Sequence, residues 1–230
     1  MKTIGLIGGS TWHSTKTYYQ LINEEVNARL GNNHSAELLL YSMDFQEVMV
    51  KHWHNWDEIE KRLLKMVHCV EHGGADLLAL CANTLHKSAD AISKQSNLPL
   101  IHIGDAIGKR LHQKQIKKAV LLGSIPTMNE GFIKNRLKAS YGISVFIPNR
   151  FDQLRVEEII EKELTRGIIK DSSRSFFIDI IDWFEDNGAE AVILGCTEIP
   201  MLISQDDVNC FVVDSTKIHV EAIVDEALSA

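Results

Sequence analysis

Short apolar runs along this chain end in glycine or in polar clusters, and each is followed by a segment whose apolar residues recur at helical spacing. That alternation predicts an α/β fold with a mostly parallel sheet. Strands are expected at Thr3 to Ile7, Ala36 to Ser42, Leu77 to Leu80, Leu100 to Ile103, Ala119 to Leu122, Ile143 to Ile147, Ala191 to Leu194 and Cys210 to Val213. Helices are expected at Ser14 to Arg29, Trp56 to His72, Leu85 to Gln95, Ala106 to His112, Glu130 to Lys138, Leu154 to Arg166, Ser172 to Asn187 and Ile218 to Leu228.

The pattern repeats. Gly73-Gly74-Ala75-Asp76-Leu77-Leu78-Ala79-Leu80-Cys81 is echoed by Asn187-Gly188-Ala189-Glu190-Ala191-Val192-Ile193-Leu194-Gly195-Cys196, in each case a helix end, a buried strand and then a cysteine. Ile4-Gly5-Leu6-Ile7-Gly8-Gly9-Ser10 is echoed by Ala119-Val120-Leu121-Leu122-Gly123-Ser124, again about 115 positions later. Two similar α/β lobes follow: residues 1–103, with 211–230 returning to them, and residues 104–210.

Composition narrows the class of partner. The chain has 230 residues, 45% of them hydrophobic, and a formal charge of −7, which disfavours nucleic acid or an anionic membrane surface and leaves a small metabolite as the expected ligand. The opening Met1-Lys2-Thr3-Ile4-Gly5-Leu6-Ile7-Gly8-Gly9 is too short and too interrupted for a signal peptide or a membrane span. Four cysteines with no C-x-x-C pair fit free thiols in a reducing compartment, so a cytoplasmic protein is expected.

In open α/β sheets, ligands collect at the carboxyl ends of the strands, where Cys81 and Cys196 both stand. Asn83 or Thr84 is suited to cap a following helix, and Pro200 suits a first turn after Cys196. A helix N-terminus would favour thiolate over thiol and would also cradle a substrate carboxylate. A lone cysteine closing an apolar strand is usually packing, but two in matching places of two repeats, each soon followed by Thr, point to chemistry. Cys69 and Cys210 lack that company and are expected to pack.

At these residues the chain resembles the aspartate/glutamate racemases. Cys81-Ala82-Asn83-Thr84 is similar to that family's C-[AT]-N-T signature and Gly195-Cys196-Thr197-Glu198 to its G-C-T-[EH] signature; Glu198, together with Ile4-Gly5-Leu6-Ile7-Gly8-Gly9, points to the aspartate racemase branch. The resemblance implies a pseudo-symmetric two-lobed fold with the active site in the interlobe cleft, often in a homodimer, and no cofactor or metal. It implies that Cys81 and Cys196 act as acid and base on opposite faces of an α-carbon. Asn83, Thr84 and Thr197, with Ser10 or Thr11, would hold the substrate's carboxylate and amino group. The branch's loop pattern commonly has Met where Ser10 stands, and the stretch Gln46 to His54 lacks the arginine expected for a distal carboxylate, leaving Lys51 or His52 as substitutes without a bidentate fork. The expected second-lobe lysine is Lys162, with Lys170 as fallback; Glu158 and Lys162 are also spaced as a surface pair. Substrate choice therefore stays open among aspartate, glutamate and a neutral amino acid.

Other signals are weaker. His52 and His54 lack a third ligand and read as surface residues. His86 could orient a nucleophilic thiolate, though no acidic partner stands at a telling spacing. The glycines at 5, 8 and 9 do not spell a dinucleotide fingerprint. Glu198 and Asp214 could tune a thiol or bind an ammonium, or simply cap helices. Two alternatives to racemisation are an isomerase or hydrolase with one nucleophilic cysteine, and an amino-acid-binding module without turnover.

Overall fold

The computed structural model describes residues 1–229. Along the chain come β1 (Ile4–Gly8), α1 (Trp12–Leu30), β2 (Leu38–Ser42), a π-helical turn (Gln46–Val50), α2 (Trp56–His72), β3 (Leu77–Leu80), a 3-10 helix (Asn83–Ser88) and α3 (Ala89–Gln95). There follow α4 (Ile103–Gln113), β4 (Lys118–Gly123), α5 (Ile125–Asn129), α6 (Gly131–Tyr141), β5 (Ser144–Phe146), α7 (Arg150–Lys162), a 3-10 turn (Leu164–Arg166) and α8 (Asp171–Asp186). The chain closes with β6 (Ala191–Gly195), 3-10 turns at Ile199–Met201 and Gln205–Asp207, β7 (Phe211–Asp214) and α9 (Ser215–Leu228).

Two compact units result: Met1–His102 with the chain from His219 onward, and Ile103–Ile218. The first holds a three-stranded sheet of order β2-β1-β3 and the second a four-stranded sheet of order β5-β4-β6-β7. Every strand pair is parallel. Residues 211–218, expected in the first lobe, belong to the second unit, because β7 completes the sheet by pairing Ala191 to Leu194 with Phe211 to Asp214.

Both faces of the first sheet are covered, which is why its strands are apolar without alternation. Ile4, Leu6, Leu77, Ala79 and Cys81 pack with Tyr18, Ile22 and Val26 of α1 and Val220, Ile223 and Val224 of α9. Ile7, Leu78 and Leu80 face Ile59, Leu63, Met66, Val67 and Val70, the buried stripe of α2. In the second unit, Val120, Leu122, Val192 and Leu194 pack against Val156, Ile159 and Ile160 of α7 and Phe177, Ile180 and Ile181 of α8.

Three expected elements come out differently. Of the strand at Leu100 to Ile103, only a bridge from Leu100 to Leu78 forms, and Ile103 already opens α4. The helix over Leu85 to Gln95 is split into the 3-10 helix and α3. A physical reason is visible at its start: the His86 ring nitrogen Nδ1 occupies the Ala82 carbonyl at 3.1 Å, the acceptor that an α-helical amide of residue 86 would use. The helix expected over Leu154 to Arg166 starts earlier, at Arg150, because the Asn149 side chain accepts from the amides of Phe151 and Asp152. It ends at Lys162, with Leu164–Arg166 as a separate 3-10 turn. No helix among the described residues is long and apolar enough to cross a membrane.

Candidate active site

Three loops leave the carboxyl edge of the first sheet, after β1, β2 and β3. The loop after β1 turns at Gly9, whose φ of +90° is a left-handed geometry that glycine adopts without penalty. A Cβ there would run into the Met43 backbone, which itself donates from its amide to the Gly8 carbonyl at 2.9 Å. Thr11 then caps α1, its hydroxyl accepting from the Ser14 amide at 3.1 Å, and the Thr15 hydroxyl accepts from the Gly9 amide at 2.7 Å. Ser10 and Thr11 are partly exposed at this turn. Ser14 donates its hydroxyl to the Cys81 carbonyl at 2.6 Å, which ties the first loop to the cysteine.

Cys81 is buried flush with the end of β3, its amide donating to the Ile7 carbonyl at 2.9 Å. Ala82, extended and without a capping side chain, precedes the 3-10 helix that Asn83 opens, so neither Asn83 nor Thr84 occupies the cap position. Asn83 is buried and Thr84 partly exposed. Burial pushes the Cys81 thiol far up, so it rests protonated.

Cys196 has different company. Its Sγ donates to Glu198 Oε2 at 2.9 Å, and the Thr197 hydroxyl donates to the same oxygen at 2.6 Å. Burial, then the charge of Glu198 and its hydrogen bond, push this thiol well up, with a smaller push from Glu157 on α7. Glu157 Oε2 accepts from the Ile125 amide at 3.0 Å, and its own carboxyl is raised, first by burial. The helix N-terminus expected to stabilise a thiolate is, after Cys196, only a three-residue 3-10 turn, and after Cys81 a six-residue one; neither offsets the desolvation.

The two cysteines match only to within one residue. Gly74 stands seven residues before Cys81 and Gly188 eight before Cys196, the additional residue being Gly195. Because side chains alternate along a strand, that one residue moves the cysteine to the other face. Cys81 shares the face of Leu77 and Ala79 beneath α1 and α9, whereas Cys196 packs on the face of Val192 and Leu194 beneath α7 and α8. Gly195 also permits close strand approach, since a Cβ on its register partner Gly123 would sit 2.9 Å from the Gly195 carbonyl oxygen.

Other expected residues have partners of their own. Lys162 Nζ lies 3.0 Å from Glu158 on an exposed face of α7, the surface pair that the i,i+4 spacing allows. Lys170 bonds the buried Glu163 at 3.1 Å, and Glu163 also accepts from Ser173 at 2.6 Å. Lys51 pairs with Glu47 at 3.0 Å. Cys69 is exposed on α2 rather than packed, while Cys210 is buried in the second core. Asp214 serves as a cap, accepting from the Thr216 and Lys217 amides. Among the described residues no three His, Cys, Asp or Glu side chains group as a metal would need.

Ser14, Thr15 and Glu157 were not singled out in the sequence. The first two lie in the first turn of α1, where a hydroxyl pair just inside a helix is the available signal; Glu157 stands beside Glu158 and near Glu161 with nothing to distinguish it.

A family model described as Asp/Glu/Hydantoin racemase matches residues 7–223. Among solved structures, a Yersinia pestis protein proposed to be an Asp/Glu racemase is 41% identical, with 100% of both chains covered and a TM-score of 0.94. An aspartate racemase homologue from Pyrococcus horikoshii OT3 is 33% identical, also over 100% of both chains, with a TM-score of 0.90. The broad specificity amino-acid racemase RacX of Bacillus subtilis (strain 168) is 24% identical over 143 residues, 60% of this chain; the match spans 61% of that relative's length.

Proposed function

The chain belongs to the Asp/Glu/hydantoin racemase family, and from that premise we propose that it inverts the α-carbon of aspartate, glutamate or a related amino acid without a cofactor, using Cys81 and Cys196 as the two proton-handling groups. The observation that carries this reading is the placement of the two thiols at the carboxyl ends of β3 and β6, each at the start of a polar loop. Inversion through a planar carbanion needs a base on one face and an acid on the other. One sulfur, as thiolate, takes the α-proton; the bonding pair passes into the carbanion, and the other sulfur's S–H delivers its proton to the opposite face. The first sulfur is then a thiol and the second a thiolate, and exchange with solvent restores the starting state.

Both thiols rest protonated, so a proton must leave before the cycle begins. Glu198 is suited to receive it, since its Oε2 already accepts from Cys196 at 2.9 Å. Ser10, Thr11, Asn83, Thr84 and Thr197 supply hydroxyl and amide groups for the substrate's carboxylate and ammonium, with backbone held around them by Ser14 and Thr15. No cation is assigned to a distal carboxylate in this reading, because Lys51 and Lys162 are paired with Glu47 and Glu158. A homodimer belongs to the same reading and is checked by sedimentation; the exposed Leu40 and Tyr41 on edge strand β2 are suited to being covered. Residence in the cytoplasm is proposed with it.

The test is a chiral assay over L- and D-aspartate, glutamate and a set of neutral amino acids, with wild type, Cys81→Ser and Cys196→Ser. Interconversion by the wild type alone supports the reading. Activity undiminished in either variant, or a stable substrate adduct on one sulfur in the intact mass, overturns it in favour of a single nucleophile.

A further inference from the structure

Behind the Cys81 loop lies a polar cluster that the proposed chemistry does not use. His86, His102 and His219 are all buried, His219 completely, and Tyr18 is buried with them. The His86 ring meets His102 edge-on at 4.8 Å between centroids and His219 at 5.4 Å. His219 Nε2 lies 2.7 Å from the Ile101 carbonyl, and its Nδ1 lies 2.8 Å from the Tyr18 hydroxyl. His86 Nδ1 lies 3.1 Å from the Ala82 carbonyl.

Carbonyls only accept, so these distances fix the tautomers: His86 carries its proton on Nδ1, and His219 on Nε2, which leaves His219 Nδ1 to accept from Tyr18. Both donated bonds act on β3 and its outgoing loop. Ala82 is the residue after Cys81, and Ile101 is held to β3 by its own amide, which donates to the Leu78 carbonyl at 2.9 Å. With Ser14 donating to the Cys81 carbonyl, two successive carbonyls at the cysteine are each fixed by a side chain. Apolar residues could fill this volume with no polar group to satisfy, so a buried imidazole cluster at this point calls for a role beyond packing.

We propose that His86 is a positioning residue, clamped edge-on by His102 and His219, whose Nδ1–H holds the Ala82 carbonyl and so aims the Cys81 sulfur and the Asn83 amide group at the substrate. This inference rests on the racemase reading for its kinetic consequence but not for its structural one. The Asn Nδ2–H group can stand in for the His Nδ1–H donor without the ring, whereas Leu fills the volume without a donor. His86→Leu lowers kcat about 10- to 100-fold, the effect of a misplacement near 1 Å, with KM changed by no more than about 3-fold. His86→Asn, which loses the same ring contacts, stays within about 5-fold of wild-type kcat because the donor is kept. Amide exchange in the segment from Ala82 to Ser88 accelerates in the Leu variant and not in the Asn variant.

Two measurements decide it: kcat and KM for wild type and both variants, and hydrogen exchange of that segment, alongside 15N imidazole shifts of the wild type reporting Nδ1–H on His86 and Nε2–H on His219. Equal exchange and equal kcat in the Leu and Asn variants, or the opposite tautomers, overturns the proposal. A wild type that racemises nothing refutes the racemase reading instead, and exchange with the imidazole shifts then decides the positioning role.

Discussion

Acidification from pH 6.5 to 4 should remove roughly 3 kcal/mol of stability through His219 alone. Burial pushes this imidazole down to about 4, partly opposed by its bond to the Ile101 carbonyl. An unfolded histidine titrates near 6.5, so between the two values the unfolded chain binds the additional proton. The contribution is therefore complete above about pH 6.5 and is lost as pH falls through the folded value; a gap of about 2.5 units at about 1.36 kcal/mol each gives the figure. His86, also lowered first by burial and then by His102 and His219, adds in the same direction. The perturbation that isolates the effect is His219→Leu. At pH 7 the variant is less stable, because the bond between the ring and the Tyr18 hydroxyl and the bond to the Ile101 carbonyl are both lost, about 0.5–1.5 kcal/mol each. Its stability nevertheless falls less steeply with acid, so the two curves converge by roughly 3 kcal/mol between pH 7 and 4. Urea unfolding at half-unit pH steps, read by hydrogen exchange of amides in the first unit, gives both curves. A gap that stays constant across this range refutes the argument.

Three further outcomes follow from the same geometry. Glu198→Gln removes the charge that pushes the Cys196 thiol up, so iodoacetamide should label Cys196 faster at pH 8 while turnover falls about 100-fold for want of a proton acceptor. Gly9→Ala places a Cβ against the Met43 backbone at positive φ and should destabilise by at least about 2 kcal/mol in urea titrations, without changing the pH at which activity is half-maximal. Raising pH above about 8.5 should lower stability, since both thiols keep protons that the unfolded chain releases; the slope should flatten in a Cys81→Ala, Cys196→Ala double variant measured by thermal melts.

The apolar runs and their helical partners were legible in the sequence because burial on both faces leaves an uninterrupted signature; Leu77 to Leu80 and Trp56 to His72 coincide with β3 and α2. The duplicated motif also placed both cysteines directly after a strand, as β3 and β6 end at Leu80 and Gly195. What the pattern did not carry was phase. Gly195 reads as one more strand residue, yet it shifts Cys196 to the other face of its sheet, and only the pairing of Gly123 with Gly195 reveals it. Lys162 is a related case: a helix period says which residues are neighbours, and its neighbour here is Glu158. His102 and His219 stand far apart in sequence and meet His86 only through the route of α9, a long-range convergence that no local spacing encodes.

The most direct test of the two-thiol account is the partition of deuterium during early turnover in D2O, starting from one pure enantiomer. Two opposed bases predict product carrying deuterium at the α-carbon while the remaining substrate keeps its protium, with inversion lost in Cys81→Ala and in Cys196→Ala. Deuterium appearing equally in recovered substrate and product, or inversion persisting in either variant, would contradict it.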